Sequence, residues 1–157
     1  MNLSTDTFAA LAFLMFLTGV GIPIMAALNS GLGMQLESPG AACLVLMGVA
    51  AGLAGIIMLM TGGAPAAASF TFEDPVLYAG GAFFLFYILS ITWAGPKMGI
   101  GNAVFFVLLG QLVAAAVIDH YGLWGAIKSE ITVRRIIGIL LMAAGVYLAR
   151  KPPVALP

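Results

Sequence analysis

The sequence predicts an all-α integral membrane protein, with five transmembrane helices in a single membrane domain that takes in residues 1–157. Three observations carry that prediction. Hydrophobic residues fill 62% of the 157 positions and charged residues only 8%, with a mean hydropathy of +1.14; a soluble domain of this length cannot bury so much apolar surface. Uncharged runs of about twenty residues recur along the chain, the length needed to cross a core of about 30 Å at about 1.5 Å per residue. Each run is bounded by charges, prolines or glycine clusters.

The first span is expected at residues 7–28. The preceding "MNLSTDTF" lacks the basic start of a secretory signal, and the run is too long for a cleaved core, so it is expected to be retained, with the mature chain starting at or near Met1. Pro23 removes a backbone donor and predicts a kink in the second half of the span. The following "NSGLGMQLESPG" reads as a polar connector, with Asn29 placed to cap the helix, form a turn or contact a ligand. The second span, 41–60, contains "GVAAG", a GxxxG element at Gly48 and Gly52 followed by Gly55, which suits close helix contact.

A flexible connector, "TGGAPAAASFTFEDP", leads to the third span, 76–94. There Gly80, Phe83, Tyr87 and Ser90 recur at helical spacing. Such an aromatic and hydroxyl stripe reads as core or as the wall of a cavity. Trp93 reads as an interfacial anchor. The turn "GPKMG" precedes the fourth span, 100–118, which carries Gln111 near its middle beside Gly110. An amide with two donors and an acceptor suits recognition of a polar solute and equally a structural bond between helices.

Asp119 and His120 close that span as a solvated end or a proton relay. The stretch "DHYGLWGAIKSEI" reads either as an amphipathic segment at the headgroup level, anchored by Tyr121 and Trp124, or as a plain loop. In the fifth span, 132–149, Gly138 and Gly145 lie two helical turns apart with Leu141 and Met142 between them. That spacing predicts one face of small residues, used as a dimer seam or for packing within the chain.

Several function classes lose support. No Asp or Glu falls inside a proposed span, so the buried carboxylate on which proton-coupled multidrug antiport relies is missing. No zinc-ligand spacing, phosphate-cradling loop or nucleophile and base constellation is present, which argues against an enzyme and predicts no metal and no cofactor. Cys43 is the one cysteine and has no thiol to pair with. A formal net charge of zero gives nucleic acid no electrostatic footing.

Orientation is poorly specified. With five spans, one side (side A) holds the N-terminus and the second and fourth connectors, with Lys128, Arg134 and Arg135. The opposite side (side B) holds the first and third connectors and the C-terminal tail, with Lys97, Arg150 and Lys151. Equal positive charge on both sides silences the rule that normally fixes topology. Such a chain is expected to insert both ways, so that two opposed copies can pair about a twofold axis in the membrane plane. Chance balance, with orientation set by a partner, is the alternative.

The order "GVGIPIMAALNSGLG", "YAGGAFFLFY", "GPKMGIG", "GQLVAAAVIDHYGLWG" and "RRIIGILLMAAGVYLARK" resembles the YdcZ-type family of the drug/metabolite transporter superfamily over nearly the whole chain. The most specific matches are Gly110 and Gln111, then Asp119, Gly122 and Gly125, then Arg135, Gly138, Leu141, Gly145 and Val146. The Gly138 to Gly145 spacing is similar to the dimerising last helix of small multidrug-resistance proteins. The resemblance implies half-size transporters of the bacterial inner membrane that occur as dual-topology genes, opposed pairs or fused duplications. Where relatives often carry Gln four residues before the Asn, this chain has Met25.

The expectation is therefore a secondary transporter, an exporter of a small organic solute, working as an antiparallel homodimer. Gln111, Tyr87, Ser90, Phe83 and Asn29 are the candidate solute contacts; Gly138, Leu141 and Gly145 form the candidate dimer interface. A neutral, zwitterionic or amphipathic solute fits the uncharged spans. The alternatives are a non-transporting membrane scaffold or regulatory subunit, and one half of a heterodimer with a paired homologue.

Overall fold

The computed structural model describes residues 5–66, 69 and 73–149, and among them every regular element is helical. The helices are α1 (Thr5–Gln35), α2 (Pro39–Met60), α3 (Gly80–Met98), α4 (Ile100–Tyr121) and α5 (Val133–Ala149). Four of these regions are long and apolar enough to cross a membrane: Thr5–Gln35, Pro39–Met60, Pro75–Met98 and Ile100–Tyr121. The fifth helix has 17 residues, about 25 Å of rise. Arg150 and Lys151, two of the three side B cations in the charge tally, lie outside the described residues.

Two helices run further than the sequence suggests. α1 continues through the expected polar connector to Gln35, and Pro23 sits inside it without ending it. Asn29 is therefore neither a cap nor a turn residue; it and Ser30 are buried mid-helix, satisfied by α3. Only residues 36–38 link α1 to α2. There Ser38 caps α2, its Oγ accepting from the Ala41 N–H at 3.2 Å, with Pro39 in the first turn where its missing donor costs nothing. α3 likewise continues through Pro96 and Lys97, and the expected turn contracts to Gly99, whose φ of 87° suits glycine.

The connector after α4 is mostly irregular, not an amphipathic helix. Gly122 ends α4 in the left-handed region, and only a short 3-10 turn, Leu123–Gly125, follows. Tyr121 and Trp124 are both exposed there, as interfacial anchors are.

Packing is uneven along the bundle. α1 contacts α2, α3 and α4, while α5 packs on α4. The buried core of Ala26, Ile91 and Ala103, with Tyr87, Ile100 and Val104 against it, lies toward the end where α1 turns into α2 and α3 into α4. At the opposite end the helices part: every residue of α1 from 5 to 21 is exposed. Lipid or a second chain must cover that surface, since the hydrocarbon core contains no water.

Candidate functional site

The closed end is held by polar groups on facing helices. Asn29 Nδ2 donates to Thr92 Oγ1 at 2.6 Å and lies 3.8 Å from Cys43 Sγ, joining α1, α2 and α3 through one side chain. One residue on, the Ser30 hydroxyl donates to the Ile91 carbonyl at 3.5 Å. Asn29, Ser30, Thr92 and Cys43 are all buried. Hydrogen bonds of this kind contribute about 0.6 kcal/mol each between membrane helices, so their value lies as much in fixing register as in stability.

Glycines let the backbones approach at this seam. A Cβ on Gly33 would sit 2.9 Å from Thr92 Cγ2, and one on Gly95 would sit 2.5 Å from Ile100 Cδ1 and 3.1 Å from Ser30 Oγ. Thr92 escaped the reading of the sequence. The signal that could have found it is a shared pattern: Ser30 with Gly33 on α1, and Thr92 with Gly95 on α3, each a hydroxyl three residues before a glycine on one helical face.

Of the candidate solute contacts, the structure brings Tyr87 and Ser90 together. They line a groove of about 290 Å³ between α3 and α4, with Phe86, Ile91, Ala103 and Phe106 among the other walls. Phe83 lies elsewhere, in a separate hollow of about 240 Å³ with Val76, Leu77, Gly80 and Trp124. The stripe on α3 thus divides between two surfaces. Asn29 is the one polar residue lining a third groove, of about 350 Å³ between α1 and α2, where Met25 is a fellow wall residue.

Gln111 is exposed and lines none of these grooves. It sits one turn beyond Val107, a wall of the α3–α4 groove, on the same face of α4. It is also at the middle of the 22-residue α4. An amide at that depth facing hydrocarbon would cost several kcal/mol, so this position calls for a polar neighbour that the described residues do not supply.

At the other end of α4, Asp119 is ion-paired rather than freely solvated. Arg135 Nη2 bonds Asp119 Oδ2 at 2.7 Å, both side chains being about one-third exposed. The Asp119 carbonyl accepts from Ser129 N–H at 2.8 Å, and His120 Nδ1 accepts from Ile131 N–H at 3.3 Å. This clamp fixes where α5 starts. It also pairs one of the three side A cations with a carboxylate.

α5 meets α4 through Ile136, Ile139 and Leu140, which face Val113, Ala116 and Val117. Gly138, Leu141 and Gly145 fall on the opposite side and are exposed, Leu141 by 67%. A Cβ on either glycine would meet no atom within 4 Å. Packing within the chain, one of the two readings of that face, therefore does not use it. Gly48, Gly52 and Gly55 of α2 are equally bare.

Among the described residues no group of His, Cys, Asp and Glu side chains is placed to hold a metal ion. No curated protein and no solved structure matches the chain. Residues 10–148 match the family described as "Putative inner membrane exporter, YdcZ", and with the apolar spans and the grooves between them, this places the chain in that family of inner-membrane exporters.

Proposed function

We propose that the protein is a secondary transporter that exports a small organic solute, working by alternating access as a dimer of two oppositely inserted copies. The observation that carries this reading is the uncovered face of α5, where Gly138 and Gly145 turn away from α4 and an added Cβ would meet no described atom within 4 Å. Exposed small residues give a second helix room for close approach, the main source of helix association in lipid. Gln111 adds to this. A twofold axis in the membrane plane brings the Gln111 of both copies to the same depth, where each amide can meet the other or a solute.

In this mechanism the seam of Asn29, Ser30 and Thr92 is the rigid end of each subunit, and the separated ends of α1 and α2 are the mobile part. Opposed copies place one rigid and one separated end at each membrane face. Rocking between them opens the α3–α4 groove, with Tyr87 and Ser90, to one side at a time.

Orientation is the direct test. With Ala66→Cys in a Cys43→Ala background, an impermeant maleimide is expected to label about half of the molecules in intact cells and all of them after permeabilisation. Labelling of all or none in intact cells would rule out dual insertion. For Gln111→Leu, export from cells or vesicles is expected to fall at least tenfold while dimer content is unchanged. Loss of the dimer instead would assign Gln111 to assembly alone.

A further inference from the structure

The α3–α4 groove is apolar along its length and ends beside an amide. It runs from Met98 and Ala103, near the link at Gly99, to Phe86 and Val107. Phe86 lies twelve residues before Met98 and Gln111 eleven after Ile100, so at equal rise the two stand at one depth, at the far end of the groove. Side chains on a helix lean toward its N-terminus, and α4 begins at Ile100, so the Gln111 amide covers the turn at Val107. Gly110 leaves that end unfilled: a Cβ there would meet no described atom within 4 Å.

The two parts ask for different chemistry. Phe86, Ile91, Ala94, Ala103 and Phe106 offer apolar surface, and Tyr87 adds its ring, its hydroxyl being buried. Such walls accept a hydrocarbon body and offer little to offset the desolvation of a polar one. Gln111 is exposed and presents two donors and an acceptor. The next ionisable side chains along α4 are Asp119 and His120, eight and nine residues on, or about 12 Å of helix rise. A charged head at Gln111 would be buried without a counter-charge. Size is the last constraint. The groove, at about 290 Å³, is roughly twice the cavity of about 150 Å³ that accepts benzene in an engineered protein core.

We infer that the groove takes an uncharged amphiphile, its hydrocarbon body lying between α3 and α4 and its amide or hydroxyl head hydrogen-bonded to Gln111. The inference rests on reading the groove as the solute path of the proposed transporter. Gln111 acts as the specificity-determining contact. A head that pairs with its amide is preferred over a bare hydrocarbon, which leaves that amide unsatisfied, and over an ion, which finds no counter-charge.

The test is calorimetric titration of the full chain in lipid nanodiscs, with the heat of partitioning into empty nanodiscs subtracted. The probes are octanamide (neutral), octanoate (anion) and octylammonium (cation). Octanamide is expected to bind at least tenfold more tightly than either ion. Gln111→Leu is expected to weaken octanamide by about tenfold and to leave toluene binding and dimer content unchanged. Ser90→Phe, which fills the groove from an exposed position on α3, should weaken octanamide and toluene alike. Equal binding of an ion, no binding of octanamide beyond that of empty nanodiscs, or an unaltered affinity in Gln111→Leu would each overturn the assignment. So would loss of the dimer in Gln111→Leu, which would place the amide between the two copies. Failure of the transport reading would show separately, as a single fixed orientation in the maleimide experiment while octanamide still binds.

Discussion

Replacing Gly138 and Gly145 together by leucine is expected to lower the dimer population at least tenfold in vesicles, with little effect on the fold of the subunit. Both glycines lie on α5 opposite the side that meets α4, and an added Cβ would touch nothing within 4 Å. Within one chain the two leucines therefore find empty space. Between two chains they do not: small residues let helices come close, and a pair of leucines at the contact holds the backbones apart. A tenfold loss is about 1.4 kcal/mol, a modest demand for four side chains across a twofold contact. Energy transfer between labelled copies, read against lipid dilution, measures the equilibrium. An unchanged dimer in the double variant would remove α5 from the interface and turn attention to Gly48 and Gly52 on α2, which are equally uncovered.

The second large effect is expected at the closed end of the bundle. Gly33→Leu should destabilise the subunit by about 3 kcal/mol, the upper part of the range for overpacked cores, or prevent folding. Even the first carbon of the new side chain would lie 2.9 Å from Thr92 Cγ2, with Pro39 Cα at 3.6 Å and Ala42 Cβ at 3.7 Å. Thr92 cannot easily turn aside, because its χ1 is stiff and its hydroxyl is held by Asn29 at 2.6 Å. Gly19→Leu is the matched control, since a Cβ there meets nothing within 4 Å. Thermal unfolding in detergent should separate the two variants clearly; equal midpoints would mean that the α1–α3 seam does not hold the fold together.

Much of the helical plan was legible because uncharged runs of membrane-crossing length leave few alternatives. α2, α4 and α5 begin and end within three residues of their expected bounds. The misreadings fall on polar or turn-forming residues that belong to helix contacts. Asn29 and Ser30 look like the start of a connector until Thr92 and the Ile91 carbonyl are placed opposite them. Pro96 looks like a turn residue, yet α3 runs through it, with Gly95 buried against α1 and the start of α4.

The site was visible only where residue chemistry is distinctive. Tyr87 and Ser90 stand out at helical spacing, and they do share a groove. Its opposite wall, Ala103 and Phe106, carries no signature that separates groove from core. Phe83, three and four residues from its stripe neighbours, faces a different hollow because α3 meets Trp124 of the connector there. Periodicity assigns a face; it does not say what stands opposite.

The contrast between the two ends of the subunit has a consequence for energetics. When two identical copies are opposed, tipping the pair from one opening to the other yields the same object turned over. The two states then have equal free energy without any tuning of the sequence, and each should be half populated when both compartments are alike. Solute must bind with the same affinity from either side. In the antiparallel pair proposed above, the protein itself would set no direction, and any net export would have to come from the gradients across the membrane.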